Sequence, residues 1–110
     1  MKYFAAILRL LDREKNVTMR PQHLAFLKER EAEGRIFARG PFADGSGGLV
    51  IYTAASLEVA RELAERDPYV VQGARQLELH EWLMTSGIQP VPGALENQKI
   101  LQKVLDKHNT

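Results

Sequence analysis

Residues 3–11 (YFAAILRLL) are apolar at both alternating sets of positions, and Arg9 is the only charged residue among them. A strand with two apolar faces is typical of the interior of a sheet that is covered on both sides. Residues 49–53 (LVIYT) show a similar two-sided pattern. The pattern therefore predicts that these two segments are the central strands of a sheet.

A first helix is predicted at residues 20–33, where apolar positions recur at helical spacing. We interpret Thr18 as its N-cap, and Gly34 follows its predicted end. Residues 12–18 are charged and polar, and we predict that they form a connection between the first strand and this helix.

A second helix is predicted at residues 57–66, with Ser56 as its N-cap. It is expected to end at Asp67, because a residue that precedes proline is disfavoured in the helical region. Gly73 then marks a turn, and residues 74–83 alternate as a last strand. One side of that strand is polar, which is typical of a sheet edge.

Between the helices, residues 35–39 and 49–53 are predicted to pair as a hairpin. The connection at 40–48 (GPFADGSGG) is rich in glycine and proline. Hairpin loops usually need only about two to five residues, so this loop is predicted to be longer than the turn requires. Longer loops often help to build a site.

The predicted element order is β-α-β-β-α-β. It indicates an α+β, ferredoxin-like fold in which two helices lie on one face of a four-stranded antiparallel sheet. The apolar second face then needs cover, and a second subunit is the simplest candidate. We divide the chain into an α+β domain at 1–84, a linker at 85–93 and a C-terminal helical extension at 94–110, with an amphipathic helix at 95–107.

Composition narrows the class of protein. The chain has 110 residues, with 15 lysine plus arginine and 14 aspartate plus glutamate, for a formal charge of +1. This balance gives no reason to expect binding to nucleic acid or to an anionic membrane. Cysteine is absent, which excludes disulfides and thiolate chemistry. With no signal-peptide pattern and no apolar run of about 20 residues, we expect a soluble cytoplasmic protein.

His23 and Asp67 are the strongest candidates for catalysis. His23 lies in the middle of the apolar stripe of the first helix, and Asp67 continues the buried side of the second helix. A buried histidine beside a carboxylate can be oriented and held in one tautomer, as a general acid or base requires. The alternative is a core histidine and an Asp-Pro helix cap, and the sequence leaves both interpretations open.

Other candidates have weaker support. Asp44 has the position of an Asx-type turn residue, Arg39 can bind a carboxylate or lie on the surface, and Tyr69 can line a pocket or pack in the core. Residues 45–48 offer backbone N–H groups, but no Gly-Lys-Ser/Thr follows as in a phosphate loop. No histidine spacing points to a metal.

Several motifs together resemble the YciI-like family, also called the DGPF family. These are GPFADGSGGL at 40–49, QHL at 22–24, RDPYV at 66–70 with Gly73, and a last strand that ends in EW at 81–82. The resemblance covers about residues 1–84. It implies a dimeric α+β barrel fold and a His–Asp pair at His23 and Asp67, with no obligatory metal or cofactor.

Functional relatives of this family include dehalogenases and isomerases of muconolactone-type compounds. We therefore expect an enzyme of small, anionic organic acids in which His23 moves a proton and Asp67 orients it, through elimination, lactone isomerisation or dehalogenation. The alternative is a non-catalytic ligand-binding or assembly module. We expect a homodimer or higher homo-oligomer, and the expected ligand-binding residues are Arg39, Gly40, Pro41, Phe42, Asp44, Ser46 and Tyr69.

Overall fold

The computed structural model describes residues 1–108, which form four strands and five helices. In chain order they are β1 (Lys2–Leu10), α1 (Arg13–Thr18), α2 (Arg20–Ala32), β2 (Ile36–Pro41), β3 (Gly47–Ala54), α3 (Leu57–Glu65), α4 (Pro68–Val71), β4 (Arg75–Trp82) and α5 (Ala94–His108).

The strands form one sheet in the order β2-β3-β1-β4, and every neighbouring pair is antiparallel. The two strands with apolar side chains on both faces, β1 and β3, lie in the centre, and the more polar β4 lies at an edge. This arrangement confirms the predicted ferredoxin-like α+β class.

The core lies between the sheet and the helices. Phe4 and Tyr52 pair across β1 and β3, as do Ala6 and Val50, and all four are buried. The helices complete the core with Leu27 of α2 and with Ala60, Leu63 and Ala64 of α3. Full burial of a large apolar side chain contributes about 1.5–3 kcal/mol, so this layer fixes the helices on one face of the sheet.

The second face of the sheet also carries large apolar side chains. Tyr3 contacts Phe37 edge to face, with ring centroids 5.1 Å apart, and Tyr3 pairs with Trp82 across β1 and β4. Phe37 is 51% exposed and Trp82 is 45% exposed. This face therefore presents aromatic surface to solvent in the single chain.

The prediction that residues 12–18 form a simple connection is wrong. They form the short helix α1, whose N-cap Asp12 accepts a hydrogen bond from the backbone N–H of Lys15. Thr18 is therefore the last residue of α1 and not the N-cap of α2. Met19 occupies that cap position without a side-chain hydrogen bond.

The hairpin loop is shorter than predicted. β2 extends through Pro41 and β3 begins at Gly47, so only residues 42–46 connect the strands. A Cβ atom at Gly47, which has a φ of 146°, would collide with the backbone carbonyl of Leu8. The glycines near this position therefore serve strand pairing as well as the turn.

Two further elements lie after α3. The chain re-enters a helix at Pro68, because the Asp67 side chain caps α4 by accepting from the backbone N–H of Tyr69. Near the C-terminus, α5 is present as expected, and Asn97 donates to the backbone carbonyl of Met84 at 2.7 Å. Residues 109 and 110 of the predicted extension lie outside the described residues. Over residues 1–108, no helix is long and apolar enough to cross a membrane.

Candidate active site

His23 and Asp67 are in direct contact. The Nδ1 atom of His23 lies 2.8 Å from Oδ1 and 2.9 Å from Oδ2 of Asp67. His23 is 7% exposed and Asp67 is fully buried. Because α2 and the α3–α4 junction both lie on the helix side of the sheet, residues that are 44 positions apart in sequence meet there.

Asp67 is held in place by the local structure that follows it. Pro68 occupies the first turn of α4, and Oδ1 of Asp67 accepts the backbone N–H of Tyr69 at 2.9 Å. The carboxylate can only accept hydrogen bonds, so His23 donates from Nδ1–H. In the neutral imidazole, Nε2 then carries the free lone pair.

The Tyr69 ring stacks on the imidazole of His23, with centroids 3.9 Å apart and an interplanar angle of 17°. The guanidinium carbon of Arg75 lies 4.4 Å from the centroid of the same Tyr69 ring. The Tyr69 ring therefore contacts both the imidazole of His23 and the guanidinium of Arg75, and we call these three groups the stack.

Asn16 of α1 holds Tyr69 and Arg75 of this stack in place. Its backbone carbonyl accepts the Tyr69 hydroxyl at 3.0 Å, and its Oδ1 accepts Nε–H of Arg75 at 2.8 Å. Burial raises the pKa of the Tyr69 phenol, and burial lowers the pKa of Arg75 from its usual high value. Both shifts have the same physical cause, which is the partial removal of these two side chains from water.

A cavity of about 330 Å³ opens beside the stack. This volume lies in the range typical of small-molecule sites, about 300–1,000 Å³. Its lining includes His23, Arg20, Arg39, Arg75, Asn16, Tyr69, Leu8, Leu24, Leu27, Gly40, Pro41, Gly48, Leu49 and Val50. Three arginines and no carboxylate line the cavity within the described part of the chain, so its electrostatics favour an anionic ligand.

The three arginines differ in their partners. Arg39 forms an ion pair with Glu31 at 3.0 Å. Within residues 1–108, Arg20 and Arg75 have no carboxylate oxygen within 4.0 Å. Two positive charges therefore face the cavity without a neutralising partner of this kind.

The structure brings five of the residues expected from the sequence to this cavity, namely His23, Arg39, Gly40, Pro41 and Tyr69. Asp67 is not in the lining and lies behind His23. Phe42, Asp44 and Ser46 do not line this cavity either, although they belong to the same hairpin.

Asp44 has a local role in the turn. Its Oδ1 accepts the backbone N–H of Ser46 at 2.9 Å, and hydrogen bonds from Ser46 lower its pKa. Phe42 lines a neighbouring recess of about 250 Å³ together with Ala38 and Ile51. Arg39, Gly40, Pro41 and Leu49 line both this recess and the cavity that contains His23.

Sequence reasoning missed Asn16, Arg20 and Arg75. A signal was available for Arg75, because strand alternation places it on the same face as Leu77 and Leu79, which pack against the core. Asn16 lies in a polar segment without apolar periodicity, and its contacts come entirely from tertiary structure. Over the described residues, no group of three or more acidic, histidine or cysteine side chains is placed to hold a metal ion.

A family model described as "YCII-related domain" matches residues 1–83. The chain belongs to the YCII-related family. The match covers every strand and the residues of the His23–Asp67 pair, so the family resemblance expected from the motifs is confirmed.

Two known bacterial proteins are similar in sequence to this chain. The uncharacterized protein YjpA of Bacillus subtilis (strain 168) is 42% identical, and the match covers 54% of this chain and 71% of that protein. Protein YciI of Escherichia coli O6:H1 is 39% identical, with the same two shares covered. These relatives support the family and carry no described activity in their names.

A solved structure is also similar to this YCII-related chain. It is the 5-chloro-2-hydroxyhydroquinone dehydrochlorinase TftG of Burkholderia phenoliruptrix AC1100, in complex with 2,5-dihydroxybenzoquinone. The TM-score is 0.63, the identity is 21%, and the match covers 73% of this chain and 92% of TftG. At this identity the likeness establishes the shared fold.

Proposed function

We propose that this protein is an enzyme of small organic acids that uses His23 as a general acid/base and Asp67 to orient it. The observation that carries the proposal is the buried Nδ1 contact of His23 with both oxygens of Asp67, beside a cavity lined by arginines. Since Nδ1 is occupied by Asp67, Nε2 is the ring nitrogen left for a substrate.

The chemistry follows from that tautomer. Nε2 removes a proton from a carbon next to a carbonyl group, and the buried Asp67 carboxylate balances the charge of the resulting imidazolium. The electron pair left on the carbon either expels a leaving group, as in elimination of a halide, or accepts a proton at another carbon, as in isomerisation. Neither route changes the oxidation state of the protein.

The likeness to TftG supports the dehalogenation branch of this proposal at the level of the fold, since that protein is named as a dehydrochlorinase. The cavity volume of about 330 Å³ suits a ligand of a single ring or a short chain.

The second candidate function is a non-catalytic ligand-binding or assembly module. It is favoured by the cap that Asp67 provides to α4, because a carboxylate that ends one helix and fixes its neighbour has a structural use without catalysis. In this case the cavity binds a ligand and His23 transfers no proton.

We also infer that the working unit is a homodimer joined through the second sheet face. The exposed aromatic side chains of Phe37 and Trp82 support this inference, because a large exposed apolar patch commonly marks an interface.

The test is proton exchange, which needs no leaving group. A panel of small keto acids and lactones is incubated in D₂O, and loss of the C–H signal next to the carbonyl is followed by NMR. We expect exchange with the wild-type protein and a loss of about 10²- to 10⁴-fold in His23→Gln.

His80→Gln is the matched control, because His80 also contacts a carboxylate, Glu78 at 2.7 Å, but is exposed and outside the cavity. Exchange that is unchanged in His23→Gln, or equally slowed in His80→Gln, contradicts the enzyme and favours the binding module.

A further inference from the structure

We propose that Arg75 binds the carboxylate group of the substrate, which is a small carboxylic acid whose acidic C–H lies at Nε2 of His23. The inference deepens the proposed function and rests on it for the placement of the C–H. The observation that carries it is the Tyr69 ring, which contacts both the imidazole of His23 and the guanidinium of Arg75.

Arg75 is held so that one edge of its guanidinium is free. Nε–H donates to Asn16 Oδ1 at 2.8 Å, while the two Nη atoms have no hydrogen-bond partner within the described chain. Neither Nη atom is among the buried unpaired polar atoms of residues 1–108. The two Nη groups are therefore accessible, and together they match the two oxygens of a carboxylate.

Gly48 leaves room for this guanidinium. A Cβ atom at Gly48 would lie 3.1 Å from Nη1 of Arg75 and 3.1 Å from the backbone carbonyl of Gly40. Both glycines line the cavity, so Nη1 lies against its wall. Any larger side chain at Gly48 would compete with Arg75 for this position.

Charge and anchoring together single out Arg75 among the cavity arginines. Arg39 already pairs with Glu31 at 3.0 Å, whereas Arg20 and Arg75 both face the cavity without such a partner in the described residues. A carboxylate between Arg20 and Arg75 relieves the repulsion between them. Arg75 is the one of the two that is anchored on an aromatic ring and on Asn16.

The stack also limits the size of the substrate. The centroid distance of 3.9 Å from His23 to Tyr69 and the 4.4 Å from Tyr69 to the guanidinium carbon keep His23 and Arg75 within about 8 Å. A carboxylate bound at Arg75 then places only nearby carbons at Nε2. The substrate class is therefore an acid of a few carbons or one ring, with the acidic C–H a few bonds from the carboxylate.

The experiment compares acids with their neutral amides. Acetate, benzoate and phenylacetate, each beside its amide at matched ionic strength, are titrated into ¹⁵N-labelled protein and followed by amide resonances. We expect at least one acid to bind wild-type protein tenfold or more tightly than its amide. In Arg75→Gln we expect the acid to bind at least tenfold more weakly, with affinity for the amide within twofold of wild type.

Arg61→Gln is the matched control, since Arg61 lies half-exposed on α3 outside the cavity, and its acid and amide affinities should equal those of wild type within twofold. Asn16→Ala keeps the charge of Arg75 but removes its Nε partner, so it should weaken acid binding three- to tenfold. If Arg75→Gln fails to fold, the acid affinity of Asn16→Ala tests the role of Arg75 in its place.

The inference is overturned if no acid binds better than its amide, or if folded Arg75→Gln keeps the acid preference of wild type. If Arg75→Gln does not fold, an unchanged preference in Asn16→Ala overturns it. Failure of the proposed function gives a different result. If His23→Gln retains proton exchange, the proposed enzyme activity is wrong, while the preference for the acid over its amide can still depend on Arg75. If His23→Gln loses proton exchange but Arg75→Gln keeps the preference for the acid over its amide, only the inference about Arg75 is wrong.

Discussion

The Asp67 carboxylate accepts two N–H groups, and they serve two different purposes. Nδ1–H of His23 lies within hydrogen-bond distance of both oxygens, and the backbone N–H of Tyr69 is the group that Asp67 caps at the start of α4. An asparagine can provide the cap equally well, but it has one acceptor oxygen and no charge. The substitution therefore separates the structural use of Asp67 from its effect on the imidazole.

In Asp67→Asn we expect the proton-exchange rate to fall by roughly 10²- to 10⁴-fold while the fold survives. Without the carboxylate, Nδ1–H loses its charged acceptor, and the fraction of neutral His23 with Nε2 unprotonated decreases. Long-range ¹H–¹⁵N correlation spectra report that tautomer directly. The free energy of unfolding should fall by ~1–3 kcal/mol. A rate and a tautomer equal to those of wild type would show that Asp67 is only a cap.

We expect Tyr52 to make the free energy of unfolding depend on pH in the alkaline range. Burial, helped by the nearby Asp67 charge, raises the pKa of its phenol above the usual value. In the unfolded chain the phenol ionises near pH 10. The contribution of Tyr52 is therefore fully present below about pH 10, and it is lost as the pH rises toward the pKa in the folded protein.

We expect the free energy of unfolding to fall by up to ~1.4 kcal/mol per pH unit above pH 10 through this group, and Tyr52→Phe should remove that part of the slope. Urea unfolding between pH 8 and 11 measures it. Equal slopes in wild type and Tyr52→Phe would contradict the prediction.

At the residue level, the sequence was sufficient for groups whose position follows from helical or strand periodicity. The apolar stripe of α2 placed His23 on the buried side, and it is 7% exposed in the structure. Asn16 could not be found this way, because its partners Tyr69 and Arg75 lie 53 and 59 positions away in the chain. Such contacts depend on how separate elements pack against each other, and the periodicity within one element gives no information about that packing.

Among the elements, the β2–β3 hairpin depends on close backbone contact with β1. Gly47 pairs with Arg9 in β1, and a Cβ atom there would collide with the carbonyl of Leu8. At Gly40, by contrast, nothing lies within 4 Å of an added Cβ, and φ is not positive. The two glycines belong to one hairpin and provide a matched comparison.

We expect Gly47→Ala to lower the free energy of unfolding by several kcal/mol, because it adds a backbone collision to an unfavourable positive φ. Gly40→Ala should change it by less than about 1 kcal/mol. Chemical denaturation of both variants measures the difference. Similar stabilities would show that β1 and β3 can shift at low cost, against the close packing seen at Gly47.

Element prediction succeeded where a cap and apolar periodicity occurred together and failed where the periodicity was absent. The Ser56 side chain caps α3 as the sequence indicated. Helix α1 has no buried residue, so apolar periodicity could not reveal it. The hairpin glycines were interpreted as loop residues, although Gly40, Gly47 and Gly48 lie in strands. At Gly47 and Gly48 a neighbouring backbone approaches too closely for a side chain to fit easily.

Considered as a whole molecule, the chain covers one sheet face with its helices and leaves aromatic side chains on the other. The element order was enough to predict this layering, since only one face can receive the two main helices. The sequence could not determine what covers the second face, because that depends on a surface outside the single chain. The described helix α5 borders this face near Trp82 without burying it.

We expect the protein to be a dimer at micromolar concentration, joined through the face that carries Phe37 and Trp82. Trp82→Glu puts a charge into that interface and should yield a folded monomer, because an unpaired carboxylate is costly to bury. Leu57→Glu is the control: Leu57 is also 45% exposed but begins α3 on the helix side, where a first-turn glutamate is favourable. Light scattering gives the mass of each. Wild-type protein that stays monomeric, or a Trp82→Glu protein that stays dimeric, would show that this face is not the interface.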